Sequence, residues 1–218
     1  MKTAVIIGAT GLVGTELVKA LSYSQHYDKI YVIARRAVEF NDKKIEPVVI
    51  AFENLEQQKF PTGADYFCAL GTTIKQAGSQ EAFRKVDHDY VVSFAKIAKT
   101  CEANSFHMVS AMGASQVSTN FYSRVKGETE KDVLALGLKK TRIYQPSLLI
   151  GTRDNLGQPS RLGEEIVTAV YNNAKFLFKG FMKKYEPITA EKVALAMAKN
   201  AISDSAKNKM IVSNREMH

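Results

Sequence analysis

Three polar side chains in the middle of the chain are of the types that move a proton to or from a substrate. Tyr122 and Lys126 are separated by three residues within a helical pattern, and Ser110 ends the apolar strand pattern before them. A tyrosine hydroxyl has an ordinary pKa of about 10, and a neighbouring ammonium stabilises its deprotonated form. The pattern predicts that Tyr122 is an acid–base residue, that Lys126 tunes it and that Ser110 orients a substrate oxygen. Ordinary exposed helices also contain Tyr-x-x-x-Lys, so the prediction depends on the rest of the chain.

A glycine-rich turn near the N-terminus predicts a dinucleotide site. Gly8, Gly11 and Gly14 follow the apolar run at residues 4–7 and precede a helical pattern. A pyrophosphate reaches backbone N–H groups at a helix N-terminus only where no Cβ intervenes. The Gly-x-x-Gly-x-x-Gly spacing departs from Gly-x-Gly-x-x-Gly, and a glycine triplet alone is often only a turn, so the flanking strand and helix carry the prediction. The expected cofactor contacts in this turn are Gly8, Thr10, Gly11, Leu12, Val13 and Gly14.

The end of the second predicted strand favours a phosphorylated cofactor. In dinucleotide-binding units this position reads the adenosine ribose, with a carboxylate for a 2′-hydroxyl or arginine for a 2′-phosphate. Here it carries Arg35 and Arg36, which predicts NADP(H) over NAD(H). The alternative is that both arginines are ordinary charges on a solvated loop.

Composition restricts the class of protein. The chain has 218 residues, 45% of them hydrophobic, and a formal net charge of +8 that suits an anionic partner. Its lysines are spread out, which argues against nucleic acid, and its cysteines and histidines lack ligand spacing, which argues against a metal. No apolar run approaches the ~20 residues that span a bilayer, and none resembles a removable signal. We therefore expect no integral membrane contact and a cytoplasmic location.

The order of apolar and helical patterns predicts an α/β fold. The predicted strands are residues 4–7, 30–34, 47–50, 66–70, 106–109, 142–144 and 210–212. The predicted helices are residues 12–21, 80–100, 121–136, 161–172 and 190–202, the last capped by Thr189. Continuous apolar strands alternating with helices indicate a Rossmann-like, doubly wound parallel sheet. We expect a single domain over residues 1–218, with residues 151–208 contributing a small C-terminal cap on the substrate side.

With these motifs the chain resembles the atypical short-chain dehydrogenase/reductases. Within that family, residues 70–73, 86–91, 109–114 and 125–128 are similar to the Tat-interacting-protein-like oxidoreductases. The resemblance runs to about residue 165 and implies an NADPH-binding Rossmann fold. It implies that residues 68–73 line the adenine side, that residues 146–148 lie near the nicotinamide and that Lys126 holds the ribose. The contacts implied in this way are Ala69, Leu70, Gly71, Lys126, Pro146 and Leu148.

The chain also departs from those relatives. Gln145 stands where they commonly carry arginine, and the helix at Asp87 lacks the asparagine that completes the catalytic tetrad of typical members. Arg153 and Arg161 match arginines that recur in those relatives. They are interpreted either as ligands of an anionic substrate or, as we slightly prefer, as surface charges. The basic aromatic segment 175–184 suits a membrane surface or a partner, but covering the pocket or core is the simpler interpretation.

The leading hypothesis is an NADPH-dependent oxidoreductase that transfers hydride to or from a small carbonyl or alcohol substrate. The main alternative is a non-catalytic NADPH-binding redox sensor or protein-interaction module, because a fold does not fix a function. A sugar-nucleotide epimerase or dehydratase ranks last, because about 65 residues remain for a substrate domain. The substrate is not encoded in any recognisable motif, and the chain is expected to be a monomer or homodimer.

Overall fold

The computed structural model of the chain describes residues 2–150, 185–203 and 211–218. The strands in these residues are β1 (Lys2–Ile7), β2 (Tyr27–Ala34), β3 (Ile45–Val49), β4 (Asp65–Cys68), β5 (Ser105–Val109), β6 (Thr141–Gln145), β7 (Leu149–Ile150), β8 (Ile188–Thr189) and β9 (Ile211–Ser213). Seven of them form a parallel sheet in the order β3-β2-β1-β4-β5-β6-β9, while β7 and β8 pair with each other. The Rossmann-like sheet predicted from the sequence is confirmed.

Helices connect most of these strands. They are α1 (Leu12–Tyr23), α2 (Ile74–Ala77), α3 (Gln80–Arg84), α4 (Tyr90–Thr100), α5 (Phe121–Ala135) and α6 (Ala190–Ile202). A π-helical turn, Lys85–Asp89, joins α3 to α4, and short 3-10 turns cover Phe52–Gln57 and Asn214–Glu216. Within the described part of the chain, no helix is long and apolar enough to cross a membrane.

Alternate residues of the central strands face two different helical layers. Ala4 and Ile6 of β1 lie in an apolar cluster with residues of α1 and α6, whereas Val5 and Ile7 lie in the opposite cluster with residues of α4. All four side chains have no exposed surface. Because successive strand residues point to opposite faces, both faces of β1 are buried, as a parallel sheet between helices requires.

The chain reverses direction across the sheet at β1. It first adds β2 and β3 on one side of β1 and then crosses over to add β4 on the other side. In doubly wound sheets, ligands bind in the crevice outside the carboxyl ends of the strands at such a reversal. The reversal therefore predicts a ligand site in the crevice between β1 and β4.

The described part of the predicted cap region contains one helix that packs on the sheet. α6 is capped by Thr189, whose side chain accepts the N–H of Lys192 as its predicted cap role requires. Its apolar face, which includes Val193 and Met197, is fully buried in the cluster with α1. This helix therefore covers the sheet, because its apolar stripe has the spacing that packs on a core. Residues 151–184, with the predicted helix 161–172, lie outside the described residues.

Candidate functional site

The predicted site residues gather at one edge of the sheet. The glycine turn follows β1, Arg35 follows β2, Ala69 follows β4, Ser110 follows β5 and Pro146 follows β6. Because all these strands are parallel, their carboxyl ends meet at one edge, which we call the carboxyl edge. The folding pattern thus brings together motifs that are far apart in sequence.

Two of the three turn glycines are required by the packing of the protein itself. Gly8 has a φ of +85°, and a Cβ there would lie 2.5 Å from the carbonyl carbon of Ala69. A Cβ on Gly14 would lie 2.1 Å from the carbonyl oxygen of Gly8, which would push α1 off the turn. A Cβ on Gly11 would meet nothing nearer than 3.4 Å, an ordinary contact. The fold itself does not require glycine at position 11.

The N-terminus of α1 has the chemistry of an anion site. Gly11 is the N-cap, no side chain caps the helix, and its first turn contains no acidic residue. The Thr15 hydroxyl donates to the carbonyls of Ala9 and Gly11, at 3.2 and 3.0 Å, and so braces the turn from within. Uncapped first-turn N–H groups and the helix dipole both favour a negative group at this position. The turn around Gly11 therefore fits the pyrophosphate of a dinucleotide.

Arg35 and Arg36 are exposed immediately beyond β2. The guanidinium of Arg35 lies over the Phe52 ring, 5.4 Å from its centroid. Such a cation–π contact orients the guanidinium while leaving its N–H groups available. Both arginines thus lie at the edge position where the adenosine ribose is expected.

The loops after β4 and β6 continue the edge on the other side of the crevice. The Ala69 N–H bonds to the Ile7 carbonyl at 2.9 Å, so the β4 loop begins in contact with the glycine turn. Leu70 is buried and Gly71 is exposed. The Pro146 carbonyl accepts the Met112 N–H at 2.8 Å, which ties the β6 loop to the β5 loop. Pro146 is buried, whereas Leu148 is exposed.

Lys126 forms a buried ion pair with Asp87 beneath the β4 loop. The Nζ–Oδ1 distance is 2.8 Å, and the side chains are 6% and 0% exposed. The second oxygen of Asp87 accepts the N–H of Thr72 at 2.8 Å. A Cβ on Gly71 would lie 3.6 Å from Asp87 and 3.9 Å from Lys126 Nζ, so the pair borders the predicted cofactor loop.

The electrostatic balance around Lys126 favours its charged form. Burial alone lowers the pKa of the Lys126 ammonium, but Asp87, followed by Tyr122, outweighs burial and raises the pKa. Lys126 therefore stays an ammonium in a place where an unpaired cation would be costly.

The π-helical turn positions Asp87 for this contact. The Thr129 hydroxyl of α5 donates to the main-chain carbonyls of Asp87, at 3.0 Å, and Val125, at 2.8 Å. The bond to the Asp87 carbonyl holds the π-helical turn against α5 beside Lys126. The sequence predicted one uninterrupted helix over residues 80–100, since its apolar spacing does not reveal a local widening of the turn. Single π turns often occur at functional sites.

Tyr122 lies one turn before Lys126 on α5, as predicted from the spacing. It is half-buried, and its ring packs against Phe83 with the centroids 5.6 Å apart. α5 begins just before it, where the Asn120 side chain accepts the Ser123 N–H at 3.1 Å. The cap and the ring contact fix the start of the helix and the direction of the phenol.

Ser110 points at a buried carboxyl group that the sequence did not single out. Its hydroxyl donates to Oε1 of Glu130, one turn beyond Lys126 on α5. The Nε2 of Gln145 donates to both Glu130 oxygens, at 2.9 and 3.0 Å. Burial raises the pKa of the Glu130 carboxyl, while the bonds from Ser110 and Gln145 and the charge of Lys126 oppose that rise.

Sequence reasoning therefore missed the partners of two predicted residues. Asp87 was noted only as a departure from a tetrad, and Glu130 was not noted at all. A usable signal existed for Glu130, because it lies at helical spacing from Tyr122 and Lys126 on the face that enters the core. The segment 175–184, Arg153 and Arg161 lie outside the described residues.

Comparison with known proteins places the glycine turn in a nicotinamide-binding domain. Residues 3–113 match the model of the semialdehyde dehydrogenase family, NAD binding domain. Protein FMP52, mitochondrial, of Eremothecium gossypii is 30% identical over 217 residues, covering 98% of this chain and 95% of its own length. The family model covers the N-terminal half of the chain, which contains the glycine turn, and the FMP52 relative covers nearly the whole chain.

Solved structures share the fold at low sequence identity. An oxidoreductase of the short chain dehydrogenase/reductase family from Burkholderia thailandensis has a TM-score of 0.65 at 16% identity, covering 99% of this chain and 92% of that one. UDP-N-acetylglucosamine 4-epimerase from Methanobrevibacter ruminantium M1 has a TM-score of 0.67 at 14% identity, covering 93% of this chain and 74% of that one. At these identities the likeness establishes the architecture alone.

The expectation of a cytoplasmic location is wrong. The Eremothecium gossypii relative and others at similar identity are named mitochondrial. The expectation rested on the lack of an apolar targeting run. Organelle import signals are amphipathic, so that lack does not distinguish the two compartments.

Proposed function

Because the chain belongs to the semialdehyde dehydrogenase NAD-binding domain family and to the family of the FMP52 proteins, we propose that it is an NADPH-dependent oxidoreductase. It transfers hydride to or from a small carbonyl or alcohol substrate. The observation that carries this proposal is the arrangement at the carboxyl edge. There, the uncapped helix N-terminus at Gly11 follows β1, and the helix with the Tyr122–Lys126 pair follows β5 of the same parallel sheet.

Several residues of the edge would hold the cofactor. The first-turn N–H groups of α1 would bind the pyrophosphate, because a Cβ is missing at Gly11 where the fold itself has room for one. Lys126 would hold the nicotinamide ribose, with Asp87 fixing the direction of its ammonium. When bound, the nicotinamide supplies or accepts the hydride.

The preference for NADPH rests on the exposed arginines after β2. A guanidinium bound to a 2′-phosphate makes a charge-assisted hydrogen bond, which contributes roughly 1.5–3 kcal/mol. Arg35 and Arg36 are adjacent and both reach solvent, and no acidic side chain takes the position of the 2′-hydroxyl ligand there. We also propose that the chain falls in the Tat-interacting-protein-like branch, because residues 70–73, 86–91, 109–114 and 125–128 are similar to it.

The side chains around the substrate oxygen would then divide the work. In the direction of reduction, Tyr122 donates its hydroxyl proton to the oxygen while the carbonyl carbon accepts hydride. The Lys126 ammonium stabilises the phenolate that remains. Ser110 holds the same oxygen from the β5 side.

One observation favours a second candidate, a non-catalytic NADPH-binding protein. The hydroxyl of Ser110 is directed to Glu130, and the ammonium of Lys126 is paired with Asp87. Both predicted catalytic groups are therefore engaged with the protein. A redox sensor needs only the cofactor contacts, which are separable from turnover.

Turnover separates the two candidates. NADPH oxidation is followed against a panel of aldehydes, ketones and quinones with the wild type and with Tyr122→Phe. The phenylalanine variant keeps the ring that packs on Phe83 and loses only the hydroxyl. Positioned acid–base groups contribute about 10²–10⁴-fold, so the rate with an active carbonyl should fall by that factor.

A matched control is Tyr31→Phe, which removes a hydroxyl on β2 away from the edge and should leave the rate unchanged. Equal rates in Tyr122→Phe and the wild type would remove Tyr122 from its role. Tight NADPH binding with no turnover on the whole panel would instead favour the non-catalytic candidate.

A further inference from the structure

Ser110 has a single proton to donate, and that proton is already directed at Glu130. Ser110 is 4% exposed, and its Oγ donates to Oε1 of Glu130. A carboxylate only accepts hydrogen bonds, so an ionised Glu130 can receive the proton but never return one. In that state the Ser110 oxygen offers only lone pairs, which repel the lone pairs of a carbonyl oxygen.

Gln145 stabilises the Glu130 carboxyl without adding a counter-charge. Its Nε2 lies 2.9 and 3.0 Å from the two oxygens, and the amide is neutral. Among the described residues, the groups that act electrostatically on Glu130 are Ser110 from β5, Gln145 from β6 and the Lys126 ammonium from its own helix. That ammonium is in turn paired with Asp87 at 2.8 Å.

We propose that the protonation state of Glu130 sets the direction of the Ser110 hydroxyl and so decides whether Ser110 can donate to a substrate oxygen. The proposal rests on the proposed oxidoreductase function and makes Glu130 a positioning residue. A protonated Glu130 donates its own hydrogen bond to the Ser110 oxygen and frees the serine proton. Carbonyl reduction then proceeds with Glu130 neutral and slows when Glu130 ionises.

The surroundings of Glu130 allow its carboxyl to change protonation state although it is buried. Glu130 is 8% exposed, and burial raises the pKa of its carboxyl against the hydrogen bonds that lower it. A cation at position 145 would favour the ionised carboxylate and lower the pKa of Glu130. The neutral glutamine leaves both protonation states accessible.

The test measures the titration of Glu130 directly. The protein is labelled with ¹³C at glutamate side-chain carboxyls, and Glu130→Gln identifies the signal by its loss. The wild-type midpoint should lie above the ordinary glutamate value of about 4.3. Glu128, a half-buried carboxyl on the same helix that pairs with Arg84, provides the control variant Glu128→Gln. Ser110→Ala should raise the Glu130 midpoint further, because the bond that it removes is stronger to the charged carboxylate than to the neutral acid. Gln145→Arg should lower it, because it adds a cation.

The rate of carbonyl reduction by the same proteins gives the second measurement. In the wild type, the rate should fall as the pH rises through the Glu130 midpoint, and Gln145→Arg should move that fall to lower pH. Glu128→Gln, the matched control, should leave the profile in place. A Glu130 midpoint at or below the ordinary glutamate value of about 4.3, or one unmoved by Ser110→Ala, overturns the proposal. A pH dependence of the rate that is the same in Gln145→Arg as in the wild type also overturns it.

Failure of the proposed function has a different signature. A wild type that reduces no carbonyl of the panel overturns the oxidoreductase assignment and, with it, any role of Glu130 in a reaction. The ¹³C titration still decides whether Glu130 and Ser110 are coupled. Unaltered far-UV circular dichroism of each variant ensures that the comparison concerns folded protein.

Discussion

The two ends of the sheet contain buried polar groups that are organised in opposite ways. The amino-edge network comprises Tyr27, Asp65, Asn104, Ser105, His107 and Tyr144. Asp65 accepts from Tyr27 at 2.8 Å, from Asn104 at 2.7 Å and from Ser105 at 2.5 Å. The carboxyl-edge cluster comprises Asp87, Ser110, Lys126, Glu130 and Gln145. It borders the crevice that the glycine turn opens.

Hydrogen bonds in the amino-edge network all run in one direction. Because Ser105 gives its proton to Asp65, its oxygen accepts from Nε2 of His107 at 3.0 Å. The other ring nitrogen, Nδ1, then accepts from the Tyr144 hydroxyl at 3.0 Å. This assignment makes His107 a neutral imidazole with its proton on Nε2. The hydroxyl and imidazole protons of the network are all directed at other members.

The carboxyl-edge cluster has charged members and an alternative arrangement. Lys126 carries a cation that is paired with Asp87, and Ser110 exchanges partners if Glu130 takes a proton. A closed polar network stabilises one core, whereas an open one can do chemistry. The contrast teaches that burial of polar groups alone does not mark a site. What marks it is a group that can still change partner.

The largest expected effect comes from removing the cation of the carboxyl-edge cluster. Lys126→Met leaves Asp87 as an uncompensated buried charge, which costs about 3–5 kcal/mol of unfolding free energy. Urea unfolding measures this loss. Combining Lys126→Met with Asp87→Asn should recover most of it, while Lys131→Met on the exposed face of α5 should cost little. A single variant no less stable than the double variant would contradict the buried ion pair.

The amino-edge network should show itself as a loss of stability in acid. Burial, with help from Lys140 and Arg142, lowers the pKa of His107 to about 3 from its ordinary 6.5. A lowered folded-state pKa gives stability that is complete above the ordinary value and is lost as the pH falls. The unfolding free energy should therefore drop by about 3 kcal/mol between about pH 7 and about pH 4 from this group.

His107→Phe keeps a ring against Phe67 and removes the titrating group, so its acid slope should be shallower than that of the wild type. The exposed His26→Gln serves as the control and should keep the wild-type slope. Parallel slopes in all three proteins would show that the amino-edge network does not hold a neutral histidine.

A smaller effect is expected from the two arginines that are proposed to discriminate NADPH from NADH at the carboxyl edge. Replacing Arg35 or Arg36 by alanine should weaken NADPH binding about tenfold to a hundredfold, the equivalent of one charge-assisted hydrogen bond, and leave NADH binding unchanged. Calorimetric titration of both cofactors measures this. Lys43→Ala, an exposed cation of the following loop, is the control. Equal losses for both cofactors would assign the arginines to general charge attraction.

The parts of the molecule that the sequence predicted are those whose signals are local. The glycine turn, the strand runs and the Tyr122–Lys126 spacing each lie within one βα unit, and periodicity is enough to place them. A parallel sheet then brings the strand ends together without further information.

The partners of the site residues were not predicted, because they depend on side chains that meet across elements. Asp87 reaches Lys126 through a π turn that leaves no mark on the apolar spacing. Glu130 of α5 meets Ser110 at the end of β5, a contact between two elements that no local pattern reveals. The directed hydrogen bonds of His107 likewise need strands β4, β5 and β6 in register.

The most direct test of the account is NADPH binding by Gly11→Ala. A methyl group at this position meets no atom of the protein nearer than 3.4 Å, so the variant should fold with an unfolding free energy within about 1 kcal/mol of the wild type. Gly14→Ala, in which the methyl group would lie 2.1 Å from a carbonyl oxygen, is the contrasting variant that should lose stability.

The account predicts that Gly11→Ala, although folded, binds NADPH at least about tenfold more weakly, because the methyl group occupies the space of the phosphate. Wild-type affinity in a folded Gly11→Ala protein would contradict it and would place the dinucleotide away from the N-terminus of α1.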